Sequence, residues 1–462
     1  MLEDMMDNNA HSSAGGGMPA ALPASGPRQC DVLVIGGGPA GSTAAALLAE
    51  RGFQVTLLEK ASHPRFHIGE SLLPANLPLF ERLGVAGEVR AISIEKWAAE
   101  FVSPWHEGGQ AFEFADAWDK SMPYAYHVRR SAFDALLFRN AARKGAQVIE
   151  QCRVKEVAFL AQDAGAVVHA VRDDGSQEDW QARFVVDASG RDTFLANRFK
   201  TKLRNPKHNS SALYGHFRGA RRHPGKNEGN ITIFWFEHGW FWFIPLSDGT
   251  TSVGAVTWPY YLKRRDKPLK DFFADTIALC PALAERLADA ELIADVEATG
   301  NYSYVTEQTF GPNYVLLGDA YAFIDPVFSS GVMLAMTSAF AAADAIETCL
   351  RQPAGAQAAL QRFDKVVRHG PRQFSWFIYR ITTPTMRDLF MGPRNLLRMK
   401  EALLSVLAGD IYGKTPIWRS LLAFKVLYYG VALVNCRRSL GAWRQRRRNI
   451  RPLDDTGTVA SQ

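Results

Sequence analysis

Residues 30–60 read CDVLVIGGGPAGSTAAALLAERGFQVTLLEK, and few architectures accommodate that order of residue types. The apolar run Val32–Ile35 predicts a buried strand, the alanine- and leucine-rich stretch after the glycines a helix, and the run ending at Glu59 a second strand. Between the first strand and the helix lies Gly36-Gly37-Gly38-Pro39-Ala40-Gly41. Gly36 permits the tight turn, Gly38 lets a pyrophosphate approach the backbone, and Gly41 lets helix and strand pack closely. The free N–H groups and partial positive charge at the helix start suit phosphates. Glu59, 18 residues past Gly41, stands where an acid accepts hydrogen bonds from a ribose. These elements in register predict a dinucleotide-binding α/β fold, with Ser42 and Lys60 completing the turn's cofactor-binding set.

A chain of 462 residues can hold one large or two medium domains, and 47% hydrophobic with 22% charged residues is ordinary for a globular protein. Residues 1–28 are rich in Ala, Gly, Ser and Pro with no apolar run, which predicts a disordered leader rather than a signal peptide. Five cysteines (Cys30, Cys152, Cys280, Cys349, Cys436) follow no metal or disulfide spacing, so reduced thiols and a cytoplasmic location are expected. The net charge of +6 is carried by residues 437–451, RRSLGAWRQRRRNIR, whose seven arginines leave the rest of the chain near neutral. That patch follows SLLAFKVLYYGVALVNC, which contains Lys425 and barely approaches the roughly 20 residues a bilayer span needs. A buried helix with a solvated basic end is one reading. Peripheral contact with anionic lipid or an acidic protein is the other. Nothing in the pattern supports nucleic-acid binding.

Three further segments point to FAD. YHVRRSAFDALLFRNAARKGAQVIEQCRV sets Arg130 three residues before Phe133-Asp134, ahead of a helix and a strand. FVVDASGRDTFLA (184–196) and YVLLGDAYAFIDP (314–326) are apolar strands that each end in Asp and a small residue, and Asp319 of the second suits a ribityl hydroxyl. The ordered set resembles the flavin-dependent aromatic hydroxylase class.

Within that class, four motifs resemble the flavin-dependent halogenases. Trp240, Trp242, Ile244 and Pro245 give the WxWxIP signature, on a strand whose tryptophans share one face. HPRFHIGESLLP (63–74) resembles the family's segment after the ribose acid, and implies flavin contacts from Arg65, Ile68, Gly69, Glu70 and Ser71. FIDPVFSSGVMLA (323–335) resembles its flavin- and halide-contacting stretch, implying Phe323, Pro326, Gly331 and Val332 at the flavin and Ser329, Ser330 and Gly331 at the halide. Lys96, 27 residues past Gly69, falls close to the family's essential lysine.

The resemblance implies that reduced FAD, O2 and chloride or bromide yield hypohalous acid, which travels to an aromatic substrate held apart from the flavin. Trp240 and Trp242 would wall off the flavin, and their rigid bulk suits a barrier. Ser329-Ser330-Gly331, leading into a helix, would supply amides to the anion. Lys96 would hydrogen-bond or capture the oxidant, an ammonium whose pKa burial can lower. Against that stands an exposed lysine beside Glu95. Tryptophan halogenases usually read PLES at the halide segment, whereas this chain reads Pro326-Val327-Phe328-Ser329, with an aromatic in the acid's place, which resembles the types acting on phenols and pyrroles. A phenol needs less help from a carboxylate, although a base would assist it; His106 and Glu113 are candidates.

The expected architecture is a split Rossmann-like FAD core over residues 29–345, with a β-rich substrate layer at about 95–125 and 200–300. A helical region (346–436) and a basic tail (437–462) follow. The expected function is halogenation of an electron-rich aromatic, phenolic or pyrrolic, free or carrier-tethered, with electrons from a separate flavin reductase. The rivals are an FAD monooxygenase or reductase on the same scaffold, and a non-catalytic flavoprotein that docks a carrier or membrane partner.

Overall fold

The structure is a computed structural model that describes residues 26–450 apart from 301, 302 and 414. Most of the expected leader, and residues 451–462 of the basic tail, lie outside the described residues.

Strand β1 (Arg28–Ile35), helix α1 (Pro39–Glu50) and strand β2 (Val55–Leu58) form where the fingerprint predicts them. β1 pairs in parallel with β2 and with the strand Gln177–Asp187, which in turn pairs in parallel with Tyr314–Leu316. Gln147–Ile149 extends the parallel run beyond β2. Val32, Leu33, Val34 and all of β2 are fully or nearly fully buried, as expected for strands covered on both faces. α1 packs between Arg130–Arg143 and Gly331–Arg351. The latter helix is long and apolar enough to cross a membrane, but here it is a core helix packed on α1 and on Ala356–Ile378.

A second sheet runs, in spatial order, Ser211–Arg218, Thr250–Thr257, Gly239–Pro245, Ile231–Phe236, Ala98–Val102 and Gly109–Glu113. Its two faces belong to different cores. Trp240, Trp242 and Ile244 join Ala212, Ile231 and Ile233 on the inner face. Phe241 and Phe243 join Phe234, Val253 and Phe273 on the outer one. The tryptophan strand is therefore aromatic on both sides because both sides are covered. Each fully buried large side chain contributes roughly 1.5–3 kcal/mol relative to exposure. The region expected to be β-rich also holds helices, among them Leu269–Ala278 and Pro281–Arg286, which cover that outer face.

Past Ile378 come helices Pro384–Met391, Met399–Ala408, Trp418–Val434 and Cys436–Asn449. The apolar segment before the arginines divides between the two sequence readings. Leu421, Phe424 and Tyr428 are buried, while Leu422, Val426, Tyr429 and Leu433 stand exposed along the same helix.

Candidate active site

One cavity of about 560 Å³ reaches from the glycine turn, past Ser329–Gly331, to the two tryptophans. At its nucleotide end, a Cβ on Gly36 would come within 2.6 Å of the Ala188 carbonyl oxygen, and one on Gly41 within 1.9 Å of the Gly36 oxygen. A Cβ on Gly38 would meet only Arg65 Nη2, at 3.7 Å. Gly36 and Gly41 thus close the turn, whereas Gly38 leaves room for a ligand. Gly36, Gly38, Pro39 and Ala40 line the cavity. Ser42 does not line it; its hydroxyl donates to the Gly37 carbonyl at 3.0 Å and braces the turn.

Glu59 is buried at the end of β2 and accepts the Gly37 N–H at 2.7 Å and the Ala61 N–H at 2.9 Å. Arg65 lies 3.6 Å from it, and Lys60 pairs with Asp192 on the opposite rim. Arg130 grips Asp134 through two hydrogen bonds of 2.8 and 3.0 Å and donates to the Ile68 carbonyl at 3.0 Å, fixing the loop that carries Gly69 and Glu70. The charge of Arg130, with burial, pushes the His67 ring down to about 3, so a neutral imidazole faces the cavity. Asp319 lines the cavity, and its carboxylate has no hydrogen-bond partner among the described residues. Burial raises it to about 6. An open glycine cradle, a buried ribose acid and an unpartnered carboxyl facing the cavity fit a flavin dinucleotide.

The segment expected to contact halide is a built turn. Asp325 caps the 3-10 turn Pro326–Phe328 by accepting the Val327 N–H, and Ser329 then takes a left-handed φ of 54°. Gly331 opens the 21-residue helix Gly331–Arg351, whose first-turn amides lack intrahelical acceptors. An added Cβ at Gly331 would meet nothing within 4 Å, so this backbone faces open space. Phe323, Pro326, Ser329, Ser330, Gly331 and Val332 all line the cavity. Phe328 does not; it stacks on Phe374 in the core beneath.

Lys96 is 1% exposed, in contrast to the surface lysine its neighbour Glu95 would suggest. Its Nζ donates to the Leu72 carbonyl at 2.5 Å and to Ser71 Oγ at 3.0 Å, and lies 5.2 Å from the Phe114 ring centroid. Ser329 Oγ donates to the same Ser71 hydroxyl at 2.9 Å. Lys96 therefore stands one serine behind the cavity wall, joined to the Ser329 turn through Ser71. Burial lowers its amine to about 7. Glu70, beside Ser71, accepts from His216 Nε2 at 2.8 Å.

Trp240 and Trp242 both line the cavity, ring centroids 6.1 Å apart, and Trp242 Nε1 donates to Ser252 Oγ at 3.1 Å. A Cβ on Gly254 would lie 2.2 Å from the Trp242 ring, so the indole rests on bare backbone. Phe374, Ile378 and Tyr412 close the far end from the helical region. Neither proposed base reaches it. His106 is held by Ser103 and Asp388, and Glu113 lies on the edge strand Gly109–Glu113; neither lines the cavity. Sequence reading missed Gly254, whose partner is twelve residues away, and Asp325, which sits inside the quoted FIDP motif without a role.

A family model described as tryptophan halogenase matches residues 31–117 and 110–388. Tryptophan 2-halogenase of Chondromyces crocatus is 36% identical over 329 residues, which are 70% of this chain and 62% of that protein. The chain thus spans somewhat less than two thirds of that relative's length. The 1H-pyrrole-2-carbonyl-[peptidyl-carrier protein] chlorinase of Pseudomonas fluorescens is 29% identical over 407 residues, 83% of this chain and 89% of its own. Among solved structures, the myxobacterial chondrochloren halogenase, an FAD-dependent halogenase, superposes with a TM-score of 0.74 at 34% identity, covering 85% of this chain and 93% of that one.

Proposed function

This chain belongs to the tryptophan halogenase family of flavin-dependent enzymes, and from that premise we propose that it chlorinates or brominates an electron-rich aromatic ring, phenolic before pyrrolic. The observation that carries this reading is the cavity joining the nucleotide turn, the halide turn and the tryptophan wall, with a lysine lowered to about 7 behind it.

When bound, reduced FAD acts with O2 and halide to supply hypohalous acid. Gly38, Pro39 and Ala40 hold the pyrophosphate at the start of α1, Glu59 the ribose and Asp319 the ribityl chain. Ser329–Gly331 present amides to the halide in a site where an unpaired anion would be costly. Trp240 and Trp242 keep the ring away from the flavin, so the oxidant alone passes. Lys96, released from or acting beside Ser71, hydrogen-bonds or captures it. The ring carbon takes the halogen, its hydrogen leaves as a proton, and the hydroxyl leaves as water. Position 328 brings no carboxylate to the cavity, since Phe328 stands there and packs on Phe374, so activation of the ring falls to the substrate's own hydroxyl. That favours a phenol.

Electrons come from a separate flavin reductase. The carrier-protein substrate named for the Pseudomonas relative supports a tethered substrate here as well. The exposed stripe of Trp418–Val434 and the exposed Arg444, Arg447 and Arg448 suit an acidic carrier. Replacing those three arginines with serine should lower turnover of carrier-linked substrate and spare free substrate. Unchanged turnover removes the docking reading, and loss of binding to anionic vesicles instead assigns the patch to lipid.

The central test supplies FAD, flavin reductase, NADH, O2 and bromide, with a hypobromous acid trap and simple phenols, to wild type and Lys96→Ala. Bromide-dependent oxidant from wild type, with ring bromination lost in Lys96→Ala, is the expected result. Hydroxylated phenol without halide dependence, or direct bleaching of the flavin by NADH, would move the protein to the monooxygenases.

A further inference from the structure

The basic C-terminal segment is not wholly a solvated tail. The helix Cys436–Asn449 packs back on the body, where Arg438 pairs with Asp388 at 2.6 Å and Asn209 Nδ2 donates to the Ile450 carbonyl at 3.2 Å. Arg444, Arg447 and Arg448 are exposed on this helix, but Arg446 turns inward. It donates to the Lys207 carbonyl at 2.8 Å and toward His208 Nδ1 at 3.4 Å, with its guanidinium carbon 5.5 Å from the Trp258 ring centroid.

His208 is buried and points its other nitrogen at Asp325. With Nδ1 accepting from Arg446, Nε2 carries the proton and donates to Asp325 Oδ2 at 2.7 Å. Ser210 Oγ donates to the same oxygen at 3.3 Å. The other oxygen, Oδ1, takes the Val327 N–H at 3.1 Å and so caps the turn that delivers Ser329, Ser330 and Gly331. A buried carboxylate needs compensating charge or hydrogen bonds to remain ionised in place. Here the positive charge is brought by a residue 121 positions away in sequence, on the element richest in arginine.

We propose that Arg446 is a positioning residue for the halide turn, acting through His208 and Asp325, so that the C-terminal helix is part of the active-site architecture. The proposal rests on the assignment of Ser329–Gly331 to halide. Arg446 does not line the cavity. It holds the Asp325 cap, and the cap holds the amides. Because such coupling is reciprocal in free energy, loosening Asp325 must also loosen the helix.

The test measures bromide KM, phenol KM and FAD affinity for wild type, Arg446→Met, Arg446→Lys and, as a control on the same helix, Arg437→Gln, whose side chain is exposed. Arg446→Met should raise bromide KM about tenfold, the loss expected of one buried charge-assisted hydrogen bond. Phenol KM and FAD affinity should stay within about twofold, Arg446→Lys should recover part of the loss, and Arg437→Gln should match wild type. An unchanged bromide KM in Arg446→Met overturns the proposal, as does an equal rise in phenol KM. If Arg446→Met does not retain FAD, His208→Gln carries the same comparison. A second arm needs no turnover: in Asp325→Asn, trypsin should cut at Arg444, Arg447 and Arg448 faster than in wild type, read by mass spectrometry. Equal cutting rates sink the coupling. Halide-independent wild-type chemistry would instead reject the halide assignment, a result separable from the proteolysis arm.

Discussion

Lys96 offers the sharpest quantitative test, because its amine is buried and forms no ion pair with a carboxylate among the described residues. An ordinary lysine amine loses its proton near 10.5, and burial brings this one to about 7. Between those values the unfolded chain holds a proton that the folded chain has released. Stability therefore rises with pH across that window and is lost as pH falls toward about 7. Between pH 7 and 9, the two titration curves separate by somewhat under two units, which at about 1.36 kcal/mol each gives about 2 kcal/mol. The group is fully buried, so solvent screening does not reduce this figure. Its hydrogen bonds to Ser71 and the Leu72 carbonyl favour the charged form and make it an upper value. Lys96→Met removes the titration and leaves the other ionisable groups in place. Urea unfolding of FAD-free wild type and Lys96→Met at pH 7, 8 and 9 reads the difference directly. The wild type should gain on the variant by up to about 2 kcal/mol from pH 7 to 9. Parallel curves for the two proteins would refute the reasoning, for they would mean that Lys96 keeps its proton in the fold.

The glycine turn separates folding from binding. Gly41→Ala should fail to fold or lose several degrees of Tm without any FAD, since its Cβ would lie 1.9 Å from the Gly36 oxygen; Gly38→Ala should keep its Tm yet bind FAD at least tenfold more weakly. Gly254→Ala drives a methyl to 2.2 Å from the Trp242 ring and should cost about 1–3 kcal/mol in unfolding measurements while shifting the tryptophan fluorescence. Asp319 is raised to about 6, so it is largely protonated at pH 5 and ionised at pH 7. FAD affinity measured between those values should therefore vary with pH in wild type and lie flat in Asp319→Asn.

The nucleotide half of the molecule was legible because its signals are local. β1, α1 and β2 follow one another within 31 residues; Gly36 and Gly41 stand where backbone approach leaves no room for a Cβ, and Gly38 where the open side of the turn faces the cavity. The strand Gly239–Pro245 was equally readable in its alternation, although only the second sheet's two covered faces explain why Phe241 and Phe243 are as apolar as the tryptophans. Ser42 was less legible, because a serine in a glycine turn can serve the turn or the ligand; the structure shows its hydroxyl on the Gly37 carbonyl. His106 and Glu113 misled because a titratable side chain carries no sign, in one dimension, of which cavity it faces.

From the order of its residues alone, this chain determined its parallel β-α-β beginning, the aromatic strand and the flexible-backbone positions, each set by contacts between near neighbours. Tertiary structure decided the rest. It buried Lys96 behind Ser71, which is what lowers the amine; it turned Phe328 into the core; and it brought Arg446 to His208 and Asp325. These are long-range contacts, and their energies depend on how much water the assembled layers exclude. Burial and charge pairing of that kind have no period in the sequence, so they appear only when the sheets and helices close on one another.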